Sequence, residues 1–140
     1  MLLIKQISVF VENRPGRLYD ITRVLAEGGA NLRAMSLAET AGYGVLRLIV
    51  DDPSSVAELL REKGMTSSLT DVVSVCLEDR PGGLSAVLKL FAENGAAVEY
   101  LYAFLAQNRE GKAYVVLKTG NPNAAVELLE GAGFTGYTNE

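Results

Sequence analysis

Hydrophobic and polar positions alternate from Leu3 to Glu12, with Leu3, Ile7, Val9 and Val11 on one side. A period of two is the signature of a strand buried on one face. Pro15-Gly16 stops it, and the period becomes helical: Leu18, Ile21 and Leu25 stand at i, i+3 and i+7. Pro15 suits the first turn of that helix, where a missing N–H costs nothing, and Gly28-Gly29 supplies a left-handed stop. Leu32 to Glu39 and Val45 to Val50 read as two strands joined across Gly42-Tyr43-Gly44. Asp52-Pro53-Ser54 opens a second helix, with Asp52 as its N-cap and Val56, Leu59 and Leu60 on one side, and Lys63-Gly64 closes it. Met65 to Leu69 is a short last strand.

The pattern then begins again. Val73, Val75 and Leu77 alternate, Leu84, Val87, Leu88 and Phe91 form a helical stripe, and Val98 to Leu105 with Tyr114 to Thr119 form a hairpin around the loop Gln107 to Gly111. Asn121-Pro122 opens a fourth helix, and Phe134 to Thr138 is a final strand. The residues repeat as well as the pattern. Asn13-Arg14-Pro15-Gly16-Arg17-Leu18 returns as Asp79-Arg80-Pro81-Gly82-Gly83-Leu84, and Ala26-Glu27-Gly28-Gly29-Ala30 as Ala92-Glu93-Asn94-Gly95-Ala96. Glu58-Leu59-Leu60 returns as Glu127-Leu128-Leu129. Two copies of one small domain follow. The order strand, helix, strand, strand, helix, strand predicts an α+β chain of two ferredoxin-like βαββαβ domains, 1–69 and 70–140. Each is a four-stranded antiparallel sheet with both helices on one face. No flexible linker separates them: Leu69 ends one and Val72 begins the next.

Domains of about 70 residues bury only about 60% of their unfolded surface, so the copies are expected to share a surface or the chain to dimerise. Net charge is −4, and no Lys/Arg stripe is present. That disfavours a grip on phosphate backbones, so nucleic acid is not an expected partner. No apolar run reaches the ~20 residues of a membrane span, and Met1-Leu2-Leu3-Ile4-Lys5 lacks the layout of a signal peptide. The single cysteine, Cys76, excludes an internal disulfide and fits a reducing cytoplasm.

Catalytic chemistry finds little to work with. There is no histidine, which removes His-based acid–base catalysis, Ser-His and Cys-His nucleophile pairs and most zinc sites. Cys76 aligns with Phe10 and reads as a small buried filler. Asp51-Asp52 is the only pair of adjacent aspartates, and it reads as a solvated loop ending in a cap. Neither a catalytic residue, a metal nor a cofactor is expected. The repeated turn is different. Besides ending a strand and starting a helix, it offers free N–H groups at a helix N-terminus, which can receive a carboxylate. Glycine at 16 and 82 lets a small ligand approach the backbone.

The (Asn/Asp)-Arg-Pro-Gly-x-Leu turn, the Ala-Glu-x-Gly-Ala run and Asn31-Leu32 at the start of the next strand together resemble the ACT domain, a small amino-acid-binding regulatory module. The likeness covers both copies and essentially the whole chain, which resembles a free-standing tandem ACT protein. It implies a non-catalytic regulator that senses a free amino acid where two modules meet; the alternative is a docking subunit that binds no small molecule. It also implies a biosynthetic enzyme or regulator as a partner, while the aromatic face of Tyr100, Tyr102 and Phe104 leads to the expectation of a homodimer. Carried onto this chain, the resemblance points to Asn13, Arg14, Pro15, Gly16, Arg17 and Leu18, facing Asn31 and Leu32 or their counterparts. In the second copy it points to Asp79, Arg80, Pro81, Gly82, Gly83 and Leu84, with Ala97 and Val98. The copies differ in chemistry. Asn31 becomes Ala97, and neutral Asn13 becomes Asp79, which repels a carboxylate, so the first turn is expected to bind more tightly. Tyr100, Tyr102 and Phe104 alternate along the face no helix should cover, an apolar patch awaiting the first copy or another chain. Leu101, Ala103 and Leu105 are expected to point at the helices.

Overall fold

The computed structural model of the chain describes residues 1–40, 42–105 and 111–137. Ten elements follow in order: β1 (Leu3–Glu12), α1 (Arg17–Glu27), β2 (Leu32–Thr40), β3 (Tyr43–Val50), α2 (Pro53–Glu62), β4 (Ser67–Glu78), α3 (Gly83–Glu93), β5 (Val98–Ala103), β6 (Lys112–Thr119) and α4 (Pro122–Gly131). The chain divides into two compact units, Lys5–Thr70 and Asp71–Glu140, and Met1–Ile4 belongs with the latter.

In the first unit the strands run in the order β2-β3-β1, all antiparallel. Ile7 lies opposite Leu48, and Val9 opposite Leu46. These four, with Val11 and Val50, make the strand side of a core whose helical side is Ile21, Leu25, Val56 and Leu60. Both helices therefore cover the same face. Gly28, the C-cap of α1, packs tightly on α2, since a Cβ there would sit 2.3 Å from Leu59 Cδ2. The backbone N–H of Phe10 donates to the Thr66 carbonyl at 3.0 Å, adding the segment that leads into β4 at the β1 edge.

The second unit repeats this with β4-β6-β5. Val73, Val75, Leu77, Val115 and Leu117 face Val87, Phe91, Ala125 and Leu129, and Leu2 joins their core. Ser74 fixes the first residues of the chain: its N–H donates to the Leu2 carbonyl at 2.7 Å and its Oγ to the Met1 carbonyl at 2.6 Å. Two α+β units of ferredoxin-like βαββαβ pattern result.

Several expectations change in detail. The strand expected to stop at Leu69 and the one expected to start at Val72 are a single strand, β4, through which the chain leaves one unit and enters the other. No Gly, Pro or Asn lies between Ser67 and Glu78 to break it. Phe134 to Tyr137 is not assigned as strand, although Thr135 accepts the Cys76 N–H at 2.8 Å. Thr138 and most of the loop Gln107 to Gly111 lie outside the described residues. Pro15 precedes α1 rather than opening it, because Gly16, at φ 89°, is the N-cap. Cys76 is half-buried rather than a core filler. Its neighbours Val75 and Leu77 take the core face of the strand, so it points to the opposite one.

The tyrosine-rich strand also departs from expectation. Register puts Tyr100 opposite Lys118 and Tyr102 opposite Val116, away from the helix-facing Leu117. Tyr102 is nevertheless only 8% exposed. Phe104 stacks on Tyr137 with ring centroids 4.6 Å apart, and Tyr114 meets both rings edge-on. The exposed apolar residues here are instead Leu101 (40%) in the strand and Leu105 (51%) just beyond it.

Candidate functional site

The two Arg-Pro-Gly turns are built alike. Arg14 N–H donates to the Glu12 carbonyl (2.8 Å) and Arg17 N–H to that of Arg14 (3.2 Å); in the second copy Arg80 donates to Glu78 (2.9 Å) and Gly83 to Arg80 (3.0 Å). Gly16 and Gly82 have φ 89° and 90°, a left-handed conformation that only glycine adopts cheaply. A Cβ at either would meet nothing within 4 Å. Backbone conformation demands glycine there, and the space above it is open.

The helices that follow these turns start without a side-chain cap. The other two are capped: Asp52 accepts the Ser55 N–H at 3.2 Å and Asn121 accepts the Ala124 N–H at 3.1 Å. A helix N-terminus leaves its first amides without intrahelical partners and carries partial positive charge. In α1 and α3 no residue of the chain's own cap supplies the missing acceptor.

The surroundings of the first turn are zwitterionic. A cavity of about 210 Å³ lies beside it, with Asn13, Arg14 and Leu18 on one side and Leu37, Ala38 and Glu39 of β2 on the other. Asn13 Nδ2 donates to Glu39 Oε1 at 3.1 Å. Glu12 pairs with Arg14 at 2.7 Å and with Arg17 at 3.6 Å, and Arg17 also meets Asp20 at 3.6 Å. Glu39 was not singled out by sequence reasoning, because a lone acid at a strand end carries no motif. The hairpin register is what brings it to the turn, since Glu39 lies opposite Gly44, and Gly44 opposite Val11.

The second turn is arranged differently. Glu78 is taken by Lys112, Nζ to Oε1 2.5 Å, and that ammonium holds the Glu78 carboxyl below its ordinary range. Asp79 N–H donates to the Gly111 carbonyl at 2.9 Å. Leu105 stands where the first copy has Glu39. A Cβ on Gly83 would fall 2.0 Å from the Glu78 carbonyl oxygen, whereas Arg17 carries one at the same place. The second turn is closed against its own strand; the first is not.

Asn31 and Leu32 lie at the far end of β2 from the turn of their own unit. Glu39, which touches that turn, is eight residues along the strand, roughly 26 Å at strand rise. Asn31 is exposed and Leu32 packs on the core. In the second unit Ala97 is exposed and Val98 packs on the core likewise. Within a single unit, the turn and the start of its second strand are not brought together. No cluster of three or more metal-ligating side chains exists among the described residues, and none of their helices is long and apolar enough to cross a membrane.

Comparison with known proteins agrees with this architecture. The model of a family described as an ACT domain pair matches residues 2–133. A crystal structure of a protein from Bacteroides thetaiotaomicron is 36% identical, with 95% of this chain and 90% of that one covered and a TM-score of 0.87. The ligand-free regulatory subunit of aspartate kinase from Thermus thermophilus shares the fold at 17% identity, with coverage of 95% and 97% and a TM-score of 0.64. No curated protein matches. With both Arg-Pro-Gly turns and both βαββαβ units inside the matched span, the chain belongs to the ACT domain pair family.

Proposed function

We propose that this chain is a non-catalytic cytoplasmic regulator that senses a free amino acid at its Arg-Pro-Gly turns, the first turn being the stronger site. The observation that carries the reading is the contrast in capping: α2 and α4 are closed by Asp52 and Asn121, while α1 and α3 start uncapped on open glycines. A ligand carboxylate supplies the acceptor that the uncapped N-terminus lacks. At the first turn, Arg14 adds a guanidinium to that end of the cavity, and Glu39 is positioned for the ammonium of the same molecule. Asn31 and Leu32, or Ala97 and Val98, complete a site when supplied by a neighbouring module. The domains are proposed to be 1–69 and 70–140. A thermal-shift panel of the common amino acids tests the reading. A ligand near a hundred times its dissociation constant adds about 2.7 kcal/mol of stability. One responding amino acid with a saturating dose curve supports sensing; a flat panel defeats it.

A second reading rests on the exposed apolar residues of the edge strands. Met35 and Leu37 of β2 are 41% and 53% exposed, and in the second unit Leu101 of β5 and Leu105 just beyond it repeat the feature. Such residues suit a second copy of the chain, or an enzyme or regulator that this chain docks onto without binding a small molecule. A flat panel together with stable self-association favours that role.

A further inference from the structure

The two units also differ beside the segments that follow α2 and α4. Register makes them comparable, because Glu12 lies opposite Tyr43 and Glu78 opposite Lys112. In the first unit a cavity of about 630 Å³ opens at the end of β1, between α1 and residues 63–66. That volume lies within the ~300–1,000 Å³ of small-molecule sites. The aligned space in the second unit is about 420 Å³. Part of the frame is common: Glu12, Gly64 and Thr66 line the first cavity, and Glu78, Gly133 and Thr135 the second. The chemistry is not. Phe10, Tyr43 and Lys63 of the first become Cys76, Lys112 and Ala132 in the second.

Phe10 and Tyr43 are the informative wall residues. Their ring centroids are 5.8 Å apart at an interplanar angle of 51°, yet the two residues stay 50% and 43% exposed. Two adjacent exposed rings on a cavity wall present an apolar surface that a further flat ring covers well. The floor is apolar too, since Val11, Ile21 and Val24 are buried. The acids of the cavity are already held. Glu12 pairs with Arg14 and Arg17, and Asp20 with Arg17 and, at 4.0 Å, with Arg23, which also meets Glu27 at 3.3 Å. Lys63 is different. Its side chain is exposed and has no ion-pair or hydrogen-bond partner among the described residues. In the second unit the aligned place is closed by the pairing of Lys112 with Glu78.

We propose that this cavity binds an aromatic anion without an α-ammonium group, an aryl carboxylate or a nucleotide being the two sources of that chemistry. Its ring lies against Phe10 and Tyr43, and its anionic group meets Lys63 Nζ. No carboxylate is left over for an amine. The site does not depend on ligand binding at the turn of Asn13–Leu18. Arg17 borders both, but its guanidinium is held by Glu12 and Asp20 and takes no part here.

Two-dimensional amide NMR of the full chain, titrated separately with 3-phenylpropanoate and with adenosine 5′-monophosphate, tests this. Saturable shifts at Tyr43, Gly64 and Met65 are expected, and the stronger probe shows whether a phenyl ring or a base is preferred. The alcohol 3-phenylpropan-1-ol keeps the ring and loses the charge, and should bind about tenfold more weakly than the acid. Lys63→Gln and Tyr43→Ser should each weaken binding by a similar factor. Both side chains are exposed, so neither variant threatens the core. Lys89→Gln, an equal change of charge in the other unit, should leave binding intact. Absence of shifts with both probes overturns the proposal, as does equal binding of acid and alcohol. Undiminished binding by Lys63→Gln overturns it too, and assigns the lysine to its favourable place at the C-terminus of α2. L-phenylalanine shifting these amides at lower concentration than 3-phenylpropanoate would also overturn it, since the site would then be selecting an ammonium.

Discussion

At the scale of single residues, three glycines of the turns do different work. Gly16 and Gly82 are required by a positive φ, with open space where a side chain would stand. Gly83 is required by contact, because its hydrogen faces the Glu78 carbonyl. Gly83→Ala must push the turn off β4 and should cost about 1–3 kcal/mol, as overpacking does. Chemical denaturation reads this directly, and a cost near zero would mean the turn has room to relax. Arg33 and Asp51 give a pH prediction. The Arg33 hydrogen bonds, opposed by partial desolvation, hold the Asp51 carboxyl below its ordinary value. A depressed folded pKa stabilises the fold above the unfolded value, and that contribution is lost as pH falls through the folded one. The Arg33→Met variant should therefore lose less stability than the parent chain on acidification below the carboxylate range. The Asp51 side chain is 37% exposed, so solvent screens the pair and the effect is small. Parallel acid-unfolding curves would refute it.

At the scale of elements, the caps that distinguish α2 and α4 are measurable. Asp52→Ala and Asn121→Ala should each cost about 1 kcal/mol. Equal melting temperatures for parent and variants would show that those helices need no cap, and would weaken the contrast on which the turn site rests. Most elements were legible in the sequence, because period two and the helical stripes are set by one buried face, and Ile7, Val9, Leu25 and Phe91 are all nearly inaccessible. What was not legible depended on contacts distant in sequence. The continuity of β4 depends on the absence of a break, which a repeat alignment cuts in two. Met1 and Leu2 belong to the second unit through Ser74, 72 or more residues away. The tyrosines of β5 read as a bare patch because alternation says which side a residue faces and nothing about what covers it. Of the residues at the first turn, the motif supplied Asn13 to Leu18, but Glu39 came only from hairpin register.

At the scale of the whole molecule, the exposed apolar residues of β2 and β5 and the inequality of the turns both become experiments. If edge strands hold two copies together, Leu37→Glu or Leu101→Glu should lower the sedimenting mass, while the fold stays intact because both side chains are outside the cores. An unchanged mass removes these edges as the subunit contact. The inequality of the turns rests on paired differences. In the first copy neutral Asn13 donates to Glu39, leaving an amide and a carboxylate beside an uncapped helix; in the second, Asp79 and Leu105 replace them. A ligand carboxylate arriving at the second turn meets Asp79, and like charges at short range in a partly dry site cost on the order of 1–4 kcal/mol. Its ammonium also finds no partner equivalent to Glu39. Calorimetry on Gly16→Val and Gly82→Val separates the turns, since valine is strained at either φ and projects into the open space above the helix. Gly16→Val should abolish binding of the responding amino acid, and Gly82→Val should leave most of it. The reverse order would mean that the ligand is recognised chiefly through its amine, with Asp79 as the residue that attracts it.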